Sequence, residues 1–151
     1  MRTHLTNRSN RRRGATALEL ALTGPLLLLL LVGAADFSRV FYHAVTLANA
    51  AGTAAFYGAR NVTHTGDTRG MNTAATTDAK DLTSITVTPS RFCRCPNSND
   101  NVDCITGSCP ASYAPRVYIS VQAKETFRPL VRYPGVPTDF TVGRTAYMRA
   151  Q

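Results

Sequence analysis

The chain has 151 residues, of which 44% are hydrophobic and 17% charged, and it carries a formal net charge of +8. Such a charge suggests nucleic acid or a membrane surface as a partner, but five of the arginines fall within residues 1–14, which contain no acid. The other basic residues are scattered singly along the chain. Because nucleic-acid-binding proteins concentrate basic residues on one face, the sequence predicts no nucleic-acid partner.

One apolar run dominates the N-terminal part of the chain. It extends from Ala15 to Ala35 and includes six consecutive leucines at positions 26–31. About 20 helical residues cross the hydrocarbon core of a bilayer, so residues 15–35 are predicted to form one transmembrane helix. The arginines before the run predict a cytoplasmic N-terminus and a C-terminal part on the outer side of the membrane.

Two processing routes fit this N-terminus. An arginine-rich start, an apolar stretch and Gly33-Ala34-Ala35 are typical of a secretory signal peptide that is removed. Glu19 argues against that route, because a carboxylate costs roughly 2.5 kcal/mol or more near the bilayer centre and intramembrane acids tend to be functional. Within the same run, Gly24-Pro25 predicts a local bend or a melted turn.

The residues around Glu19 resemble a type IV prepilin processing site, in which a basic leader ends in Gly and Glu is the fifth mature residue. Further segments narrow the resemblance to the TadE-like pseudopilins of the tight-adherence (Tad) pilus. They are Arg13-Gly14, Leu18-Glu19-Leu20, Pro25, Asp36-Phe37-Ser38-Arg39, Leu47-Ala48-Asn49-Ala50-Ala51 and Tyr57-Gly58-Ala59-Arg60. The resemblance covers about residues 11–60 well. Leu20 and Asp36 depart from it, since the family more often has Phe and Glu there.

This resemblance implies that residues 1–14 are a basic leader, which a prepilin peptidase removes by cutting between Gly14 and Ala15. Glu19 would then lie about one helical turn from the new ammonium group and neutralise it, in the same chain or in a neighbouring subunit. The implied function is that of a minor pilin in biogenesis or initiation of an adhesive pilus. Implied partners are inner-membrane lipid, other Tad pseudopilins, inner-membrane assembly proteins and the major pilin.

Two alternatives to the pilin interpretation remain open. One is a single-pass, membrane-anchored periplasmic binding or sensor domain that never enters a filament. The other is a soluble domain that is secreted after signal-peptide cleavage. The N-terminal residue of the mature protein distinguishes them, because prepilin processing leaves Ala15, signal-peptide cleavage leaves Asp36 and an unprocessed anchor keeps Met1.

The helical pattern continues past the apolar run through residues 36–60, where apolar residues recur at intervals of three and four. Small residues also recur here at four-residue spacing, in two rows. One row is Ala44, Ala48 and Gly52, and the other is Ala51, Ala55 and Ala59. Because small side chains let helices approach closely, these rows predict a helix–helix packing face; the helix propensity of alanine is the alternative explanation. Aromatic residues of this half are expected in the core or at the membrane interface.

Residues 61–151 are predicted to form a small exported α+β domain. Segments 85–88, 117–123 and 140–148 alternate apolar and polar residues, as half-buried strands do. They predict a three-stranded antiparallel sheet that packs on the outer half of the long helix. A short helix is expected near residues 72–82, and prolines confine residues 128–138 to a loop.

All four cysteines lie between the first two predicted strands, at Cys93, Cys95, Cys104 and Cys109. In an oxidising compartment they would form two disulfides that staple this loop. Four cysteines allow three connectivities, of which the Cys93–Cys95 pairing is disfavoured by strand geometry. A four-thiolate zinc site is the alternative, but the spacing matches it only loosely. No hydrolase, phosphate-loop or metalloprotease motif occurs, so the sequence predicts neither catalysis nor a cofactor.

Overall fold

The computed structural model describes residues 8–151, and side chains from Gly14 onward except Ser112. Residues 1–7 of the predicted leader therefore lie outside the described residues, as do the side chains of the other leader arginines. The chain separates into two compact units, one ending at Arg39 and one comprising Val40–Gln151.

A single helix, α1, extends from Arg8 to Ala59 and belongs to both units. It confirms the predicted long N-terminal helix. The helix continues through Pro25, so the melted turn is wrong, whereas the local bend, the other half of that prediction, stays a prediction. A proline removes one backbone hydrogen bond, and apolar helices of the membrane-spanning type tolerate that loss better than soluble ones do. By length and composition α1 is capable of crossing a membrane.

A 3-10 turn at Val62–Gly66 leads into the second helix, α2, which spans Thr68–Asp78. The helix begins four residues before the predicted start. Asp67 explains this start, because its Oδ1 accepts a hydrogen bond of 2.8 Å from the backbone N–H of Gly70 and so caps the first turn. Met71 and Ala75 lie on the buried face of α2.

Four strands form one antiparallel sheet: β1 at Thr86–Arg94, β2 at Asn101–Val102, β3 at Arg116–Phe127 and β4 at Phe140–Arg149. Their order is β2-β1-β3-β4. The prediction of three strands is therefore wrong in number. The additional strand is β2, whose two residues follow a turn-forming Asn and Ser segment and carry no alternating pattern. The loop predicted between the last two strands is confirmed.

The two edges of the sheet differ. On one side, β2 pairs with β1 only at Cys93 and Arg94, and the rest of β1 contains Pro89, which has no backbone N–H and is typical of edge strands. On the other side, all ten residues of β4 pair with β3. Among the residues that the structure describes, no strand pairs with the far side of β4.

The hydrophobic core of the second unit lies between the outer half of α1, α2 and one face of the sheet. Alternate residues of β3, from Ile119 to Phe127, are buried and face this core. The largest fully buried side chains of the core are Phe127, Leu47, Met71, Ile119 and Val121. The residues of β3 that point to the opposite face are exposed or half-buried.

Candidate functional site

The predicted processing site lies within α1. Gly14, Ala15 and Glu19 are exposed on the helix, and the backbone carbonyl of Glu19 accepts a hydrogen bond of 2.8 Å from Thr23 Oγ1. The Glu19 carboxylate is the first acidic group of the chain and stands at the start of the apolar run. An acid in this position needs a cationic or hydrogen-bonding partner if the surrounding segment enters a membrane.

The apolar run presents its side chains outward on every side of α1. The six leucines from Leu26 to Leu31 are each 56–66% exposed. Leucines that are more than half exposed around a whole helix are unfavourable in water, since fully burying such a side chain stabilises by about 1.5–3 kcal/mol. The run therefore requires an apolar environment, which lipid or other helices can supply.

A charged pair follows the run. Asp36 is 6% exposed, and its Oδ1 lies 3.1 Å from Nη1 of Arg39, one helical turn later. The hydroxyl of Ser38 donates a hydrogen bond of 2.8 Å to the carbonyl of Ala35. These contacts satisfy the first polar side chains after the apolar run locally on the helix.

The structure divides the two predicted rows of small residues. Ala51, Ala55 and Ala59 are buried in the core, where they allow α1 to approach the sheet. In the other row Ala44 is also buried in the core, whereas Ala48 is exposed and Gly52 is half-buried. Most of the predicted helix–helix face is thus covered by the domain of the same chain. Only Ala48 and Gly52 remain accessible to another subunit.

These two small residues lie within an exposed apolar row along the outer half of α1. The other members are Phe41, Val45 and Phe56, which are 64%, 43% and 62% exposed. Spacings of three and four residues place all five on one side of a helix; we call them the outer row. Phe41 and Phe56 do not enter the core, so for these two residues the expected place at the membrane interface stays a prediction. A second helix could approach closely at the small residues and pack against the larger ones at either end.

A polar pair on the opposite side of α1 was not predicted by the sequence analysis. His43 Nδ1 lies 2.6 Å from Oε2 of Glu125, and the side chain of Glu125 is only 4% exposed. The His43 ring also meets Phe127 edge to face, with ring centroids 5.3 Å apart. Glu125 occupies a core-facing position of β3, so this pair fixes where the helix lies on the sheet. Its only sequence signal is an acid at an inward-facing position of an alternating strand.

The junction of α1 and α2 is held by Asp67. Its Oδ2 accepts a hydrogen bond of 2.8 Å from the Tyr57 hydroxyl, and its Oδ1 caps α2. The backbone N–H of Gly70, followed by the Tyr57 hydroxyl, holds the pKa of Asp67 below its usual value. The same hydrogen bond raises the pKa of Tyr57. An open groove of about 660 Å³ runs past these residues between the two helices, and Tyr57 and Asp67 belong to its lining.

All four predicted disulfide cysteines are paired. The bridges join Cys93 to Cys104 and Cys95 to Cys109, which confirms two disulfides and resolves the connectivity that the sequence left open. No sulfur remains for zinc in the four-thiolate site considered above, since none of the cysteines is free. In the same loop Asp103 Oδ1 accepts hydrogen bonds from the backbone N–H groups of Thr106 and Ile105, which hold the pKa of Asp103 low.

The outer row and the apolar run are the exposed apolar surfaces of α1. Within the part of the chain that the structure describes, no group of three or more His, Cys, Asp or Glu side chains is placed to hold a metal ion. In comparisons with known proteins, residues 14–55 match the family described as TadE-like protein. No curated protein and no solved structure matches the chain. The matched segment contains Glu19, the apolar run and most of the outer row.

Proposed function

We propose, from the match of residues 14–55 to the TadE-like protein family of the Tad pilus, that the chain is a minor pilin or pseudopilin. It acts in the biogenesis or initiation of an adhesive, type IV-like pilus by helix-mediated association with other subunits. The family is generally structural rather than enzymatic. The observation that carries the proposal is the outer row, an exposed apolar face of which all but Phe56 lies inside the matched segment.

The outer row supports association because it combines large apolar ends with a small centre. Phe41 and Phe56 expose most of their ring surface, and aromatic side chains contribute strongly to interfaces. Ala48 and Gly52 between them allow close approach of a partner helix. A Cβ built at Gly52 would meet nothing within 4 Å in this chain, so the space beside it is open to a partner. Inside the membrane, the apolar run offers a second surface on which the helix of another subunit can pack.

The proposed maturation step is hydrolysis of the peptide bond between Gly14 and Ala15 by a prepilin peptidase. Both residues are exposed on α1, although a peptidase needs the helix to unwind locally there. The product would carry an ammonium group at Ala15, four residues from the carboxylate of Glu19. In a membrane these two groups would neutralise each other, either within one chain or across two neighbouring subunits, so that neither charge is isolated in lipid.

The proposed topology is a single span with a cytoplasmic N-terminus and a periplasmic C-terminal domain. Arginines precede the apolar run, and the charge bias across a span sets its orientation. The two disulfides support the same side for the domain, because disulfides persist in oxidising compartments and are rare in the cytosol.

Site-specific photo-cross-linking in the native cell tests this proposal. A photoreactive residue is placed at Phe41 or Phe56 in the outer row, and the matched control is Thr76, which is exposed on α2. We expect cross-links to Tad pseudopilins, the major pilin or assembly proteins from the outer row and none from Thr76. Absence of cross-links from the row, or equal cross-linking from the control, would contradict helix-mediated association.

The N-terminal residue of the protein isolated from its native membrane tests the maturation step separately. Ala15 is the expected residue. Asp36 would establish signal-peptide removal and a soluble domain, and Met1 would establish a plain anchor. Glu19→Gln should leave the cleavage intact and reduce the number of surface pili, whereas normal piliation would show that the carboxylate has no role in assembly.

A further inference from the structure

The solvent face of the sheet gathers residues that are far apart in the sequence. Side chains alternate between the two faces of each strand, so the residues between the buried positions of β3 point to solvent. The register pairs Arg94 with Arg116 across β1 and β3, and Phe92 with Tyr118. Across β3 and β4 it pairs Tyr118 with Arg149. Tyr147, opposite Ser120, completes the group. We call these six residues the basic-aromatic face.

The arginines of this face are placed against one another without a carboxylate. Arg94 and Arg116 lie directly opposite on neighbouring strands, and Arg149 lies one pleat further along on β4. Within the described residues no ion pair involves any of the three, and the outward positions of β1, β3 and β4 contain no acid. Like charges directly opposite destabilise a sheet. A bound anion would relieve that repulsion.

Neighbouring groups hold one of these arginines in place. Arg94 Nε donates a hydrogen bond of 2.9 Å to Oδ1 of Asn101 on β2. Its guanidinium carbon also lies 4.9 Å from the centroid of the Phe92 ring, a cation–π contact. The short strand β2 therefore helps to hold the Arg94 guanidinium on the solvent face, in addition to covering part of the edge of β1.

The aromatic residues form the second half of the face. Phe92 and Tyr118 stack on each other, with centroids 5.5 Å apart and planes 13° apart. Tyr147 meets Phe92 edge to face at 6.3 Å and is 66% exposed. The stacked pair covers part of its own ring surface, so Tyr147 is the ring most accessible to a planar ligand.

We propose that the basic-aromatic face binds single-stranded nucleic acid, with phosphates on the three arginines and a base stacked on Tyr147. Single-strand-binding surfaces combine a positive track with aromatic rings in this way, and guanidinium groups match phosphate oxygens in a bidentate manner. A duplex buries its bases, and reading it needs a helix or ribbon in a groove. An acidic peptide would use the arginines and leave Tyr147 without a role. An acidic polysaccharide could also pack a sugar ring on Tyr147, and the competition experiment below separates it from nucleic acid.

The sequence analysis predicted no nucleic-acid partner because the basic residues are scattered along the chain. That argument fails for these three, since the pairing of β1, β3 and β4 brings positions 94, 116 and 149 together. The proposal does not depend on the outer row of α1 or on a role in pilus assembly, because it uses different residues on the other side of the sheet.

Fluorescence anisotropy with a labelled 20-nucleotide oligothymidylate and the full chain in detergent tests the proposal. R116Q/R149Q removes two cations of the face, and R128Q/R132Q removes two exposed arginines of the β3–β4 loop as the matched control. Because each phosphate contact on a single strand contributes about 0.7 to the slope of log K against log salt, R116Q/R149Q should reduce that slope by about 1.4. The control should leave both the slope and the affinity near those of the wild type. Both double variants retain the leader arginines, so the leader contributes equally.

Tyr147→Ala separates base stacking from charge. Because this substitution removes the stacking of one base, it should weaken binding by about 5- to 150-fold with little change in the salt slope. Polygalacturonate and polyglutamate at equal charge concentration serve as competitors and should displace the oligonucleotide poorly. Any of three results would overturn the assignment to nucleic acid. The control double variant loses as much affinity as R116Q/R149Q, Tyr147→Ala binds as tightly as the wild type, or either competitor binds more tightly than the oligonucleotide. Equal thermal unfolding of all variants shows that the sheet is intact.

Discussion

Removing the Cys93–Cys104 disulfide should lower the free energy of unfolding of the C-terminal domain by about 3 kcal/mol. The two cysteines are separated by 11 positions in the sequence. Closing a loop of that length removes about 9–10 cal/mol/K of entropy from the unfolded chain, which corresponds to about 3 kcal/mol at 25 °C. Cys95–Cys109, with a separation of 14, gives nearly the same value. Domains are commonly stable by about 5–15 kcal/mol, so the two bridges together supply a large part of the total.

The connectivity makes this prediction sharp, because variants with equal numbers of cysteines break different numbers of bridges. C93A/C104A and C95A/C109A each remove one bridge, whereas C93A/C109A removes both and leaves two cysteines that are not partners. Urea unfolding of the full chain in detergent, followed by near-ultraviolet circular dichroism of the tyrosines, reports on Val40–Gln151, which contains all six tyrosines, rather than on the apolar run. We expect losses of about 3, 3 and 6 kcal/mol. Equal losses in all three double variants would refute the pairing and the loop-entropy argument.

Three further predictions concern the packing of the domain. His43→Ala leaves the buried carboxylate of Glu125 without its partner and should destabilise by about 3 kcal/mol; a double-mutant cycle with Glu125→Ala in urea unfolding checks it, and additive losses would contradict coupling. Gly58→Ala places a Cβ 2.5 Å from the sulfur of Met71 on α2 and should lower the free energy of unfolding by about 1–3 kcal/mol. Gly52→Ala is the control, because the space beside Gly52 is open. It should raise the free energy of unfolding by about 0.5–1 kcal/mol in the same assay. The folded pKa of Asp67 is lowered, so its contribution is present above the unfolded pKa of about 3.9 and is lost as the pH falls through the folded value. Acid unfolding below about pH 4 should therefore become less steep in Asp67→Asn, and an unchanged profile would exclude this contribution.

The sequence predicts the long helix and the main strands because their signals are local. The apolar run and the alternating patterns each depend on residues within one element, and α1, β3 and β4 follow them closely. The cap at Asp67 is also local, but its signal was missed in a stretch rich in Thr, Gly and Asn. β2 has no such signal, since two residues are too few for a period and their place beside β1 depends on a disulfide across the loop.

The candidate sites depend on tertiary contacts to different degrees. Glu19 stands out in the sequence because an acid beside an apolar run is unusual. The small residues do not reveal which of them the sheet will cover, so Ala55 and Ala48 cannot be distinguished before the fold is known. The basic-aromatic face depends on strand register, in which a shift of one residue would move Arg116 to the other side of the sheet.

The different edges of the sheet limit how these domains can join one another. Pro89 and the short strand β2 block growth on one side, while on the other side no described strand covers the long strand β4. Two domains could pair through their β4 strands, but that union would present only blocked edges to a third copy. Lateral growth through strands would stop at a pair, so the domain can be held at high local density in a membrane or filament without extending into a continuous sheet of aggregated protein.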